Sequence, residues 1–351
     1  MPKAKYLLLL DKQFPTISRS EIPAIAEIKE VPVQIEQEDL LKLKVISTDE
    51  GIRFLSWRSA YVKEVYKILC SVRSLSSSYL KRTFRNAFLS HQGLPGTFRI
   101  DVNTDLVSTQ VEKQQLIHRT ANLVTKQTNA VVSLESPDKI FSPLVRNSEI
   151  ILLAKFPPLT KDFRKREPKY RPYSPSITME AKLSRALVNL ARASAGKPFL
   201  DPFCGSGSFL LEAAAIGAKT IGCDLSKKSL GGARWNAKFF DLASRIQLQK
   251  ADATNLSFPA NSIWSMATDL PYGKAAGLYG REVASLYQKF LGEAKRILRP
   301  KKYLAFCASG PIETIVEHSS GWRYCFHLKM PLPGDLTRHI FVLQKKGDTK
   351  R

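Results

Sequence analysis

The chain has 351 residues, 44% of them hydrophobic and 24% charged, an ordinary globular balance with length enough for two or three domains. Its 54 lysines and arginines against 31 acids leave a net charge of +23, which points to a polyanionic partner, nucleic acid foremost. No apolar run reaches the ~18 residues of a membrane span and no signal-peptide pattern opens the chain; its five scattered cysteines, without CxxC spacing, support neither a disulfide framework nor a zinc knuckle, so the expected setting is the reducing cytoplasm.

In chain order, Lys3 to Asp11 reads as a strand, Ser20 to Lys29 as a helix and Arg53 to Trp57 as a strand. Tyr61 to Val72 and Leu75 to Ser90 have helical spacing, Thr97 to Val102 alternates as a strand, and Glu112 to Thr128 is helical again. Val131 to Leu134 and Glu149 to Phe156 close this α+β region as strands. Lys155 to Pro175 then carries five prolines, which deny a continuous helix. Its Arg164, Lys165, Arg166, Lys169 and Arg171 alternate with Phe163, Tyr170 and Tyr173. That interleaving fits either a solvated linker or an RNA contact in which cations meet phosphates and rings stack on bases. The basic excess is uneven: residues 1–157 carry 22 basic and 16 acidic groups, residues 158–351 carry 32 and 15.

Beyond the prolines the order becomes regular. Met179 to Arg192 is helical, Pro198 to Asp201 a strand, Gly207 to Ala218 a helix, Thr220 to Asp224 a strand and Lys227 to Phe239 a helix. Ile246 to Asp252 and Ile263 to Asp269 are strands, Glu282 to Leu298 a helix, Tyr303 to Ala308 a strand and Ile312 to His318 a short helix. Trp322 to Leu328 and Thr337 to Gln344 finish as strands with no helix between them. The alternation predicts an α/β fold: a doubly wound, mostly parallel seven-stranded sheet closing in an antiparallel hairpin, with ligands at the carboxyl ends of its strands.

Four motifs fall at those ends. Asp201-Pro202-Phe203-Cys204-Gly205-Ser206-Gly207-Ser208-Phe209 joins the first strand to its helix, and Gly205 and Gly207 let a ligand approach the backbone. A dinucleotide fingerprint needs a further glycine three residues on, where this chain has Leu210, which disfavours a nicotinamide cofactor. Asp224, ending the second strand, can accept from both hydroxyls of an adenosine ribose, and Asp252-Ala253 after the third suits adenine. Any one of these acids is equally well a helix cap or turn residue; three at successive strand ends converge on one crevice for an adenosine-containing ligand. Thr268-Asp269-Leu270-Pro271-Tyr272-Gly273 follows the fourth strand and precedes Gly277 and Gly280, a loop. There the Asp269 carboxylate and the Leu270 carbonyl can accept the two N–H groups of an exocyclic amine, localising a lone pair that the base ring otherwise delocalises. Pro271 stiffens the turn and Tyr272 can stack on an extruded base.

At these residues the sequence resembles the S-adenosylmethionine-dependent guanine-N2 methyltransferases of tRNA that carry a THUMP domain. Arg171-Pro172-Tyr173-Ser174-Pro175 with Lys182 to Ala191 resembles the helix entering their catalytic domain, and Asp335-Leu336-Thr337-Arg338-His339-Ile340 the end of the archaeal guanosine-10 branch. Thr97 to Lys155 is similar to the second half of a THUMP domain. The resemblance implies a class I Rossmann-fold methyltransferase domain over residues 176–351. A basic Pro-rich linker, 158–175, would join it to an N-terminal ferredoxin-like region, 1–57, and a tRNA-holding THUMP domain, 58–157. It implies S-adenosylmethionine bound by Asp201, Phe203, Gly205, Ser206 and Gly207 on the methionine and ribose side, by Asp224 and Leu225 at the ribose, and by Asp252 and Ala253 at the adenine. Asp269, Leu270, Pro271 and Tyr272 would hold the target guanine. Many members carry proline where this chain has Leu270, but the contact is a main-chain carbonyl that both residues offer.

The implied reaction is methylation of a guanosine N2 in tRNA, guanosine 10 first, by a cytoplasmic monomer without a metal. Guanosine 6 of tRNA, or a guanine of ribosomal RNA, is the nearest rival. A nicotinamide-dependent dehydrogenase leaves Asp269 to Tyr272 unexplained, and a non-catalytic RNA-binding module leaves the amine-holding motif without a purpose.

Overall fold

A computed structural model describes residues 2–39, 41–72, 96–103, 113–146, 149–157, 161–176, 178–271, 282–309, 312–332 and 336–347. Its contacts divide the chain into two units, each taken by itself below: Met1–Gln13, Pro32–Ser56 and Val62–Leu159 in one, and Phe14–Val31, Trp57–Tyr61 and Thr160–Arg351 in the other.

The first unit is built on one eight-stranded sheet of β1 (Lys3–Leu10), β2 (Gln34–Asp39), β3 (Lys42–Thr48), β4 (Val62–Val72), β5 (Thr97–Ile100), β6 (Val131–Val132), β7 (Lys139–Arg146) and β8 (Glu149–Lys155). The strand order is β2-β3-β1-β4-β8-β7-β5-β6. Tyr61 to Val72, expected as a helix, is strand β4, paired with β1 on one side and β8 on the other. Its Val62, Val65, Tyr66, Ile68 and Val72 are strand formers, and the adjacent buried pair Val65 and Tyr66 breaks the alternation that would announce a strand. β4 also lies past the expected boundary at residue 57, yet it pairs with β1.

Of the two helices α1 (Pro15–Ile28) and α2 (Asp49–Arg58), the second overturns another expectation: Arg53 to Trp57 is helical rather than extended. The Thr48 hydroxyl accepts from the Gly51 N–H at 3.1 Å, and Asp49 and Glu50 fill the first turn, so a helix start was written in the residues just upstream. Strands β2, β3 and β7 were not expected, although in β3 buried Leu43, Val45 and Ser47 alternate cleanly with half-buried neighbours. Helix α3 (Lys113–Thr128) turns Leu116 and Val124 inward, and Val124 joins Phe98, Phe141 and Leu152 in a core. Leu75 to Ser90 lies outside the described residues.

The second unit carries the seven-stranded sheet the alternation predicts: β9 (Pro198–Asp201), β10 (Lys219–Asp224), β11 (Ile246–Lys250), β12 (Ile263–Asp269), β13 (Leu298–Ala308), β14 (Trp322–Leu332) and β15 (Leu336–Lys345). They run in the order β11-β10-β9-β12-β13-β15-β14. The first five are parallel, and β15 runs antiparallel between β13 and β14. Helices α4 (Ala181–Leu190), α5 (Ser208–Ala215) and α6 (Lys227–Phe239) supply one apolar cluster; α7 (Val283–Ile297) and α8 (Ile312–Glu317) supply the other.

Two segments behave differently from their sequence-based reading. Helix α1, assigned to the N-terminal region, groups with the second unit, and its fully buried Glu21 explains why. That carboxylate accepts from the Ser59 hydroxyl (2.6 Å), the Ala60 N–H (2.8 Å), the Tyr61 N–H (3.2 Å) and the Asn189 amide of α4 (2.6 Å). A buried charge so fully hydrogen-bonded fixes its helix in place. The basic Pro-rich stretch is not simply a solvated linker either. Phe163, Arg166 and Arg171 are buried, and Arg166 makes a two-pronged pair with Glu212 at 2.7 and 3.1 Å. Arg185 approaches the same carboxylate at 2.8 Å. Tyr170 stays exposed, with the Lys169 ammonium 4.8 Å from its ring centre.

Candidate active site

The strand order places four acids along one edge. Asp201 ends β9, Asp224 ends β10, Asp269 ends β12, and Asp252 lies two residues past β11. Successive connections run one way from β9 through β10 to β11, whereas β12 lies on the other side of β9, so β9 and β12 flank the switch point where open α/β sheets bind ligands.

The turn after β9 is tight. Cys204 N–H donates to Cys223 O at 2.9 Å and Gly207 N–H to Cys204 O at 2.7 Å, while Gly205 and Gly207 take φ of 49° and 88°. Those left-handed values favour glycine. Gly205 N–H donates to Asp224 Oδ2 at 2.9 Å and Ser226 N–H to Asp224 Oδ1 at 2.8 Å, which aims the carboxylate across the glycine turn. Two carboxylate oxygens offer about four acceptor positions, so Asp224 retains capacity for hydroxyl donors. Leu225 is half-buried beside it, Ser206 and Ala253 are buried, and the Phe203 ring meets Phe290 edge-on at 5.3 Å. Asp252 accepts from both the N–H (2.9 Å) and hydroxyl (2.8 Å) of Thr254, so it closes a turn of its own.

Asp201 is 1% exposed. Its Oδ1 accepts from Thr268 Oγ1 at 2.7 Å and Phe203 N–H at 3.2 Å, which ties the glycine turn to the end of β12. Burial raises its carboxyl to about 8 despite those two hydrogen bonds, and the charges of Asp224 and Asp269 add to the rise. Leu270 N–H donates to Cys307 O at 2.9 Å, and Tyr287 Oη to Pro271 O at 3.0 Å, so the backbone after Asp269 is pinned from β13 and α7. Tyr272 lies outside the described residues.

Sequence reasoning missed the groups that brace this loop. Asn236 of α6 donates to Tyr173 O (2.8 Å) and Ser206 O (3.0 Å) and accepts from Tyr173 N–H (3.0 Å), clamping the proline-rich stretch to the glycine turn. The Tyr173 ring lies so close to Gly232 that a Cβ there would come within 2.0 Å of it. Asn236 and Tyr287 are mid-helix residues whose partners are remote in sequence, so nothing local announced them. Glu313, His327 and His339 also gather, with His327 Nε2 3.1 Å from His339 Nδ1 and ring centres 5.3 Å apart.

The residues fit S-adenosylmethionine. A Cβ built on Gly205 meets nothing within 4 Å, so open space lies over the glycine turn. Asp201 Oδ2 is buried without a hydrogen-bond partner among the described residues, and carboxylates are the acceptors suited to a cationic, hydroxyl-bearing nucleoside.

The comparisons with known proteins agree with that chemistry. A family model described as UPF0020, RMKL-like methyltransferase domain, matches residues 168–338. A tRNA (guanine(10)-N2)-dimethyltransferase of Methanocaldococcus jannaschii is 26% identical over 360 residues, covering 96% of this chain and 99% of that protein. A Methanothermococcus thermolithotrophicus protein, named "Probable tRNA (guanine(10)-N2)-dimethyltransferase", is 31% identical over 170 residues, 47% of this chain and 98% of that one. In fold, the crystal structure of TrmN from Thermus thermophilus aligns with a TM-score of 0.53 at 22% identity, covering 97% of this chain and 99% of that one.

Proposed function

The chain belongs to the tRNA guanine-N2 methyltransferase family of the guanosine-10 type, and from that premise we propose that it methylates the exocyclic N2 of guanosine 10 in tRNA, carrying the product to the dimethyl stage as the names of its relatives suggest. The observation that carries the reading is the position of Asp269 at the end of β12, tied through Thr268 to Asp201 and so to the glycine turn across the switch point. Bound S-adenosylmethionine supplies an electrophilic methyl on a sulfonium. Asp224 takes the ribose hydroxyls, the Gly205 turn leaves room for the nucleoside, and Asp201 faces the methionine end. The Asp269 carboxylate and the Leu270 carbonyl accept the amine hydrogens, draw the nitrogen toward tetrahedral geometry and stabilise the positive charge that grows on it, and Asp269 takes the proton that the methylated nitrogen sheds. Tyr287 and Cys307 hold the two peptide groups that aim this acceptor pair.

Residues 1–157 supply the tRNA grip in this reading, through the THUMP-like segment, and the enzyme works as a cytoplasmic monomer. The compartment is supported by five free cysteines, four of them buried. No helix among the described residues is long and apolar enough to cross a membrane.

The test is a tRNA transcript incubated with the full-length protein and labelled S-adenosylmethionine, digested and mapped by mass spectrometry. N2-methylated guanosine is expected at position 10 and absent when that guanosine is replaced by adenosine. Label at guanosine 6, or on ribosomal RNA alone, would overturn the assignment.

A further inference from the structure

We propose that Arg338 is a positioning residue of the transfer step, its guanidinium holding the Asp269 carboxylate toward the methyl-accepting amine. The inference rests on the reading just given and assigns a role to a motif, Thr337-Arg338-His339-Ile340, that the reading left without one.

The sheet register brings the two residues together. Asp269 of β12 pairs with Cys307 of β13, and Cys307 with Ile340 of β15, so the three side chains share a face. Arg338 lies two residues before Ile340, on that same face, with its backbone fixed opposite Met330 in the terminal hairpin. From there Nη2 reaches 3.9 Å from Asp269 Oδ2, with the arginine side chain 14% exposed and the aspartate 24%. The buried Cys307 thiol between them registers both charges: after burial itself, Asp269 pushes the thiol up and Arg338 pulls it back.

The distance matters as much as the pairing. At 3.9 Å the cation attracts the carboxylate but is beyond hydrogen-bond length, so it does not occupy the lone pairs that an amine would use. A two-pronged pair such as Arg166 makes with Glu212 would compete with the substrate.

The experiment is single-turnover methyl transfer by the full-length protein to a tRNA transcript, comparing Arg338→Gln, Arg338→Lys, Asp269→Asn and the double variant Arg338→Gln/Asp269→Asn. Arg338→Gln should slow transfer at saturating tRNA by about 10–100-fold, the scale of a misplaced reacting group, with tRNA KM and cofactor affinity within about 2-fold of wild type. Arg338→Lys should recover part of the rate, because it keeps the charge. In the Asp269→Asn background, Arg338→Gln should cost nothing more, since a residue acting through Asp269 has nothing left to position. Equal losses in both backgrounds would overturn the proposal. So would a defect confined to KM with the salt slope of tRNA binding reduced by about one, the signature of a phosphate contact. If Arg338→Gln fails to fold, Arg338→Lys in the two backgrounds carries the same comparison. A wild-type protein that methylates no tRNA would sink the functional reading itself; an active wild type with an equally active Arg338→Gln sinks only this inference.

Discussion

Asp201→Asn isolates what the buried acid does. Its carboxyl titrates near 8 in the fold, first because burial disfavours the charge and then because Asp224 and Asp269 repel it. An aspartate in an unfolded chain titrates near 3.9, so between about pH 4 and 8 the folded chain keeps a proton that the unfolded chain has released. The stability this group contributes is therefore complete below about pH 4 and is lost as pH rises toward 8, by up to about 1.4 kcal/mol per unit. Asparagine keeps an oxygen to accept from Thr268 Oγ1 and Phe203 N–H and removes the titration. Between pH 5.0 and 7.5 the ligand-free wild type should consequently lose about 3 kcal/mol relative to the variant, read as diverging midpoints in urea at constant slope. Cofactor binding runs the linkage backwards. A cationic ammonium placed against Asp201 stabilises the carboxylate, so binding at pH 7 should release close to one proton, visible as a buffer-dependent calorimetric heat that Asp201→Asn lacks. Parallel stability profiles for the two proteins, or a heat independent of buffer, would refute the reasoning.

Three further substitutions test other parts of the site. Asp269→Ala should slow methyl transfer about 10²–10³-fold while leaving tRNA affinity nearly intact, because its contribution grows as the amine becomes tetrahedral; filter binding beside single-turnover rates separates the two. Asn236→Ala removes the clamp on Tyr173 and Ser206 and should lower the unfolding free energy by about 1–3 kcal/mol in urea titrations, the cost of buried partners left unsatisfied. Glu212→Gln leaves Arg166 and Arg185 buried without their counter-charge and should cost about 3–5 kcal/mol of unfolding free energy. Burial pushes the Glu212 carboxyl up, but Arg185 and Arg166 outweigh it and hold it below its ordinary range. Its contribution is thus present at neutral pH and lost on acidification, so the variant and wild type should converge in stability as pH falls below about 4.

The second unit was legible because its information is local. Each strand end is a short apolar run closed by an acid or a turn, and β9, α6 and β12 fall on the residues the alternation marks. The first unit was less so. The apolar positions of β4 fit a helical stripe as well as a strand, and its pairing with β1 and β8 decides between them. Likewise the proline-rich stretch reads as basic and solvated until Glu212, some 46 residues after Arg166, is seen to neutralise two of its neighbours. Helix α1 shows the limit most plainly. Its Glu21 looks like an ordinary surface acid on an amphipathic helix, and its partners Ser59, Ala60, Tyr61 and Asn189 come from segments that no periodicity connects. A motif can be read from the sequence because its residues are neighbours; the contacts of Asn236, Tyr287 and Arg338 join residues far apart in the chain and cannot.

Charge works in this protein at two scales with opposite sign. The whole chain carries +23, and an excess of that size draws a polyanion by releasing its counterions, without regard to sequence. The crevice does the reverse, setting Asp201, Asp224, Asp252 and Asp269 at neighbouring strand ends. Both are needed for one reaction, because the substrate is an anion whose reacting nitrogen becomes cationic, and the methyl donor is itself a cation. Acids gathered to stabilise those cations destabilise one another when the site is empty, and the raised titration of Asp201 reflects part of that cost. The structure relieves it unequally: Asp201 is buried deeply enough to hold a proton, Asp224 is bound by two backbone N–H groups, and Asp269 faces Arg338. Asp269, 3.9 Å from the Arg338 guanidinium, is the one the proposed chemistry requires to accept an amine hydrogen.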